Sequence, residues 1–416
     1  MTGTACDAAR TAPAEAAPTT ARRGPLAGVR ILSLTSVVMG PFATQILAGL
    51  GAEIIKIEAP DGDNMRHVGP MKHNGMGHIF LHANRGKKSV VLDLKRAPAR
   101  EAALRLAEGV DVMISNIRPQ AMERLGLGYD EVRARNPRIV YVTCCGFRQS
   151  GPYAALPAYD DLIQGATGIP WLMQAWGTGT PCYAPTTLAD RVTGLHAVYA
   201  VTAALFARER SGEGQAVEVP MFEALTQFVL GDHMAGLTFD PPIGDPGYAR
   251  LLTSHRRPYE TRDGYLCVLI YNDKHWKKFF AAIGEAERFE RDARFSSHGR
   301  RAEHIDEVYE EVARIMRTRT TAEWQQLLLE VDIPNMPMNS PVDLIADPQL
   351  QATGFIGEEI HPSEGRVHTI GTPTTWSGTP PGPLDPAPQL GQDTETVLRQ
   401  TGFSDDEIRA IRGEHS

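Results

Sequence analysis

Between Val29 and Cys145 the chain alternates short apolar runs with amphipathic stretches, and this alternation limits its fold more than any other feature. VRILSL reads as a strand, Gly40-Pro41 opens a helix with proline in its first turn, and Gly49 to Gly51 closes that helix ahead of EIIKIE. The theme repeats: KSVVLDL as a strand, Pro98 to Glu108 as a helix, VDVMIS as a strand, a helix near Gln120 to Leu125, then RIVYVTCC as a strand. Parallel strands need helical crossovers where antiparallel ones need only tight turns. The pattern therefore predicts an α/β fold, a largely parallel sheet with helices on both faces. No strand leads into GxGxxG or GxxxxGKS, which leaves a nucleotide-binding reading without its phosphate loop.

Beyond the alternating half, a helix is expected from about Arg191 to Arg210. A turn at Ser211 to Gly214, a strand at QAVEV and a helix from about Pro220 to Asp232 follow. The breaker cluster Asp240 to Gly247 marks the approach to a smaller domain. It opens with a hairpin-like stretch, YETRDGYLCV, and continues through a helical region from Ala302 to Val331 that stops before Pro334. Pro373 to Pro388 reads as a connector, and Ser404 to Glu407 has capping-box spacing for a last helix. With 416 residues, two domains are expected. Residues 1–24, rich in Ala, Thr and Pro and lacking an apolar h-region, read as a disordered tail rather than a secretory signal. Cys6, Cys144, Cys145, Cys182 and Cys267 form no CxxC pair. Their odd number suits a reducing cytoplasm, and no apolar run reaches the length of a membrane span.

The chemistry-bearing candidates are few. Asp190 lies between Leu188-Ala189 and a long apolar helix, a placement that suits a reacting carboxylate, although Asp is also a favoured N-cap residue. Asp160-Asp161, ahead of LIQGATG, reads as a helix cap. Cys144-Cys145 ends a strand but has no local histidine base and reads as packing. His67, His73, His78 and His82 cluster without HExxH, so no metal is expected. A net charge of −8 argues against nucleic acid. Even so, Lys87-Lys88, Lys95, Arg118 and Arg124 recur near strand ends where a phosphorylated ligand would dock, and Asn116 to Pro119 is the best placed of these segments.

Five ordered blocks, SLTSVVMGPFATQILAGLGAEIIKIE, NRGKKSVVLDLK, SNIRPQAMERLGLGYDEV, NPRIVYVTCCGFRQSGPYAALPAYDDLIQGATG and the Asp190 segment, resemble the class III CoA-transferases of the CaiB/BaiF family from about Pro25 to Arg412. The resemblance implies a Rossmann-like large domain and a smaller α+β domain, in an interlocked homodimer. Residues 25–232 would form the first part of the large domain, 233–330 the small domain, and 331–416 the return to the large one. It also implies an enzyme that moves CoA from an acyl-CoA donor to a carboxylic acid acceptor, with Asp190 as nucleophile, no metal and no permanently bound cofactor. CoA would contact Val38, Met39, Leu92 to Lys95, Asn116 to Arg118, Arg124 and the turn from Leu156 to Tyr159. Lys95, Arg118 and Arg124 would serve its phosphates.

Two departures narrow the reading. Where the formyl-CoA transferases carry glutamine, arginine and a run of four glycines, this chain has Val38, Ala59 and Gly244 to Tyr248, which disfavours oxalate. The related α-methylacyl-CoA racemases use a histidine where Tyr159 stands here, and a phenol is a weak α-proton base near neutral pH. Isomerisation and a non-catalytic CoA-ester binding protein are the alternatives. Arg250, His255, Arg256 and Arg257 are candidates to pair an acceptor carboxylate, or else form a solvated basic loop.

Overall fold

The computed structural model of the protein describes residues 22–414. Its first half runs β1 (Arg30–Leu34), α1 (Met39–Gly49), β2 (Glu53–Glu58), α2 (His78–Ala83), β3 (Lys87–Val91), α3 (Ala97–Glu108), β4 (Val112–Ser115), α4 (Pro119–Arg124), α5 (Tyr129–Arg135) and β5 (Val140–Cys145). There follow α6 (Asp160–Ala166), α7 (Ile169–Met173), α8 (Leu188–Ser211), β6 (Gln215–Pro220) and α9 (Met221–His233). The six strands form one sheet in the order β3-β2-β1-β4-β5-β6, every neighbouring pair parallel.

Alternate residues of β1, β2, β4 and β5 feed two separate cores. Ile31, Ile54, Val112 and Val140 pack with Leu47 of α1, Ala197 and Val201 of α8 and Leu225 of α9. Leu32, Ile55, Met113 and Tyr141 pack with Leu106 of α3, Val132 of α5 and the C-terminal residues Leu398 and Ile408. Both faces of these four strands are covered, which is why they read as largely apolar runs, whereas the edge strands β3 and β6 carry Lys87, Lys88, Gln215 and Glu218. On the first face the closest approach is between α1 and α8. A Cβ on Gly194 would stand 2.8 Å from the Phe42 ring and 3.0 Å from the Met39 carbonyl, so only glycine lets α8 lie that near α1.

The chain end returns to cover the β3 edge. Asp393 accepts from Ser89 N–H at 2.9 Å, its own N–H donates to Ser89 O at 2.9 Å, and Thr394 Oγ1 accepts from Val91 N–H at 3.0 Å. An otherwise open row of strand donors is thereby satisfied. The last helix, Asp405–Arg412, carries the capping box expected from Ser404 and Glu407.

A second body centres on a three-stranded antiparallel sheet, β7 (Tyr259–Glu260), β8 (Tyr265–Val268) and β9 (Asn335–Pro337). Its core is aromatic, built on Trp276, Phe279, Phe280, Phe295 and Trp324. Because β9 pairs with β8, this body includes residues beyond position 330. The helical region expected from Ala302 to Val331 is divided among three helices, His298–Glu303, Ile305–Met316 and Thr321–Glu330. The last begins at Thr320, whose side chain forms a capping box with Glu323. An unexpected hairpin, β10 (Ile356–His361) and β11 (Gly365–Ile370), docks on the large body through the Arg85–Glu359 pair at 2.8 Å and Lys72 Nζ donating to Glu364 O at 2.7 Å. Residues 1–21 of the expected tail lie outside the described residues. Arg22, in the described part of the expected tail, is anchored, its guanidinium donating to Ala52 O and Gly86 O.

Candidate active site

In a doubly wound sheet, ligands collect beyond the carboxyl ends of the two strands whose following helices turn to opposite faces. Here those strands are β1 and β4. From β1 the chain enters α1 on the α8 face, and from β4 it enters α4, whose Met122 packs on the other face. Beyond their ends lies a cavity of about 260 Å³ walled by Ser36, Val37 and Met39 after β1, Asn116 and Arg118 after β4, Gly146 after β5, the Leu156 to Asp160 turn, and Asp190. Gly146 is required there because a Cβ would fall 2.2 Å from that of Ala158.

Asp190 is not the N-cap. Helix α8 begins three residues earlier than the sequence pattern suggested, at Leu188, with Thr187 flanking it. Asp190 therefore sits in the first turn, and the flanking residue caps nothing. Its N–H donates to Asp160 Oδ1 at 3.0 Å. The cap reading of Asp160 is corrected in the same way. Its carboxylate does not cap α6, at whose start it lies, but is held beside Asp190 by Gln164 Nε2 at 2.7 Å. Gln164 is fully buried. Its Oε1 accepts from Ala184 N–H at 2.9 Å and its Nε2 also donates to Thr186 O at 3.1 Å, so one amide fixes both the second carboxylate and the approach to α8. Neither Gln164 nor this use of Asp160 was found in the sequence. The available signal was their spacing of four on a helix whose other inward residues are apolar.

Burial first, and the Asp160 carboxylate second, push the Asp190 carboxyl up to about 7, against the opposing pull of Arg191. The positive end of α8 also favours the anion. A carboxylate whose conjugate acid ionises near neutrality is a stronger nucleophile than an ordinary one and is still ionised at working pH. Activity that needs ionised Asp190 should fall about tenfold per pH unit below about 7. Asp160→Asn keeps an acceptor for the Asp190 N–H but removes the like charge, so a kcat/KM profile should show its acid limb displaced to lower pH. An unmoved limb would show that Asp160 does not set the ionisation of Asp190.

The expected CoA contacts divide between two cavities. Met39, Asn116, Arg118 and Tyr159 line the cavity of Asp190, whereas Leu92 and Lys95 line an adjoining one of about 370 Å³ that shares Ser36 and Asn64 with it. Val38 and Arg124 line neither. Val38 is buried, with its carbonyl accepting from Phe42 N–H, and Arg124 ends α4 in the open. The Asn116 amide is engaged by the β1 loop, its Oδ1 accepting from Ser36 N–H at 3.0 Å and its Nδ2 donating to Ser36 O at 2.8 Å. Lys87 and Lys88 are not free for phosphates. Lys87 is buried and donates to Pro41 O and Asn84 Oδ1, and Lys88 pairs with Glu53 at 2.6 Å.

Burial pushes the Cys144 thiol up to about 12 and raises Cys145 too, which suits neither as a thiolate nucleophile. His78 and His82 share α2, but no group of three or more His, Cys, Asp or Glu among the described residues is placed to hold a metal. Arg250, His255, Arg256 and Arg257 do not line the Asp190 cavity. Arg250 stacks over Tyr271, and His255 and Arg257 line a separate surface hollow with Glu307 and Glu311. No helix among the described residues is long and apolar enough to cross a membrane.

The family model of CoA-transferase family III matches residues 26–394. The chain is 34% identical to a succinate–glutarate CoA-transferase of Agrobacterium fabrum, over 91% of this chain and 96% of that one. It is 30% identical to a formyl-CoA:oxalate CoA-transferase of Shigella sonnei, over 94% and 99%. A crystal structure of a CaiB/BaiF family protein from Brucella suis superposes with a TM-score of 0.78 at 28% identity, covering 91% of this chain and all of that one. A protein from Mycobacterium tuberculosis does so at 0.77 and 30%, covering 90% and 99%. Sequence and fold agree from end to end of the matched region, and the chain belongs to CoA-transferase family III.

Proposed function

We propose that this enzyme transfers CoA between carboxylic acids through covalent intermediates on Asp190. The observation that carries the reading is the Asp190 carboxylate in the wall of the cavity at the sheet's switch point, buried beside Asp160 and pushed up to about 7 by burial and by that second carboxylate. An Asp190 carboxylate oxygen attacks the thioester carbonyl, the carbon–sulfur bond of the tetrahedral adduct breaks, and CoA leaves as thiolate, giving a mixed anhydride between Asp190 and the donor acid. The thiolate then attacks the Asp190 carbonyl, releasing the donor acid and leaving an aspartyl-CoA thioester. The acceptor carboxylate displaces the thiolate to form a second anhydride. Attack of the thiolate on the acceptor's carbonyl gives the new thioester and restores the carboxylate. Each step exchanges one acyl leaving group for another, so no ATP is consumed.

In this reading the 4′-phosphopantetheine arm lies along Met39, Asn116 and Tyr159. The nucleotide end lies toward Leu92 and Lys95, and Arg118 and Arg124 serve the phosphates. Val38 would contribute backbone only. The acceptor is a dicarboxylic acid, as the name of the succinate–glutarate relative suggests. The active form is a cytoplasmic homodimer. On the exposed side of α8, Leu195, Tyr199 and Phe206 form an apolar stripe at helical spacing that a second copy would cover. Tyr159 offers no base for α-proton exchange.

Succinyl-CoA incubated with a panel of mono- and dicarboxylates is the direct assay. The expected product is the acceptor's CoA thioester, formed faster from glutarate-sized diacids than from monoacids. Deuterium wash-in at the acyl α-carbon with no change of thioester would instead make the enzyme an isomerase.

A further inference from the structure

The loop joining β1 to α1 stands between the two cavities, and it is strained. Val37, a β-branched residue, has φ of 70°, in the left-handed region that such side chains avoid. Strain of this kind persists only where the surroundings over-determine it. Here three side chains from three other segments take up the loop's backbone. Lys56 Nζ, on β2, donates to Thr35 O at 2.6 Å. Asn116 brackets both the N–H and the carbonyl of Ser36. Asp63 Oδ1 accepts from Val37 N–H at 3.0 Å and from Met65 N–H at 3.0 Å. Asp63 Oδ2 then closes an ion pair with Lys56 at 2.8 Å, in which both side chains are wholly buried. A buried pair gains little net stability over apolar side chains of similar size, so its presence calls for another account.

We propose that Asp63 and Lys56 are positioning residues. As a buried pair they hold Val37 in its left-handed conformation, and with it the wall against which the CoA thioester is presented to Asp190. This rests on the transferase reading. Neither residue touches the reacting atoms, and both act through the Thr35 to Val38 backbone. A displacement of about 1 Å in a positioning element is enough to cost about 100-fold in rate.

The test replaces both charges at once, Lys56→Met with Asp63→Leu, so that no unpaired buried charge remains to unfold the protein. The expected result is a urea midpoint near that of the wild type, kcat/KM for acyl-CoA reduced about 100-fold, and weaker binding of free CoA by calorimetry. Adding Val37→Gly should then recover at least about tenfold, because glycine adopts positive φ without being held there. Wild-type constants in the double variant, or a loss that Val37→Gly does not recover, overturn the proposal. If the double variant does not fold, Asp63→Asn and its combination with Val37→Gly are read by the same quantities. Wild-type enzyme that binds CoA but transfers none overturns the transferase reading alone, and positioning is then decided on CoA affinity. Wild type that does not bind CoA overturns both.

Discussion

Asp190→Ala should lower kcat/KM for CoA transfer by at least about four orders of magnitude, since the proposed mechanism builds each covalent intermediate on that carboxylate. The same substitution should not destabilise the protein. Alanine is the best helix former, and Ala189 and Thr193, which seat the first turns of α8 in the core, are untouched. The sign of the stability effect follows from the ionisation. A carboxyl raised to about 7 in the folded state, mainly by burial, contributes most below its unfolded value and loses that contribution as pH rises through about 7. Above pH 7 the wild type therefore carries an ionised, poorly solvated carboxylate that the variant lacks. Urea titrations at pH 8 should find the variant at least as stable as the wild type, and a less stable variant would assign Asp190 a structural role. Opposite effects on activity and stability are what a group retained for chemistry produces.

The largest loss of stability is expected at Glu58→Leu. The Glu58 carboxylate, almost wholly buried at the end of β2, accepts from Arg66 Nη2 at 2.7 Å, Arg66 Nε at 2.8 Å, Ser89 Oγ at 2.6 Å and Asp63 N–H at 3.0 Å. Arg66 is as deeply buried, stacked 3.7 Å over the Phe80 ring and donating to Pro388 O from both terminal nitrogens. Removing the acid strands this guanidinium without a counter-charge, a loss of about 3–5 kcal/mol. It also frees Ser89, which ties the returning chain end to β3 through Gly391 N–H. Burial raises the Glu58 carboxyl, but Arg66, Lys56 and Ser89 together outweigh it and hold the group below its usual value. Its stabilisation is therefore present above the ordinary carboxylate range and is lost as pH falls through the depressed value. The variant's deficit in urea midpoint should be full at pH 7 and should shrink in acid. A deficit unchanged with pH would point to packing rather than charge.

The parallel sheet was legible because its central strands are apolar on both faces and the helices α1, α3 and α4 carry proline in the first turn and glycine at or just after the end. Gly40-Pro41 and Gly49 to Gly51 bracket α1 to within a residue or two. The start of α8 was misjudged. Thr187 precedes a turn, Leu188 to Asp190, whose helical state is decided by Ala189 packing into the core rather than by any capping side chain, and a sequence pattern carries no record of that packing. The β10–β11 hairpin passed unread although Ile356, Ile360 and Val367 to Ile370 alternate about a turn closed by Gly365 at φ 70°. Pro362 and the charged residues between them obscured the period.

That Asp190 and the strand-end loops would meet in one cavity was legible, because open sheets bring the loops beyond their strand ends together whatever their chemistry. The roles of Asp63, Asn116 and Gln164 were hidden for a common reason. Each acts on the backbone of a segment distant in sequence, Asn116 on Ser36 and Gln164 on Ala184, and hydrogen-bond partners of that kind are chosen by the tertiary fold. Lys87 and Lys88 illustrate the converse. As a basic pair at a strand they suggested phosphate binding, yet they stand at the amino end of β3, away from the switch point, and are already paired.

The most direct measurement is mass-spectrometric mapping of wild-type enzyme quenched with hydroxylamine while it turns over an acyl-CoA. The expected product is a hydroxamate on the peptide carrying Asp190, dependent on acyl-CoA and absent from Asp190→Ala. Continued CoA transfer with the label on another residue, or with no label at all, would contradict covalent catalysis on Asp190.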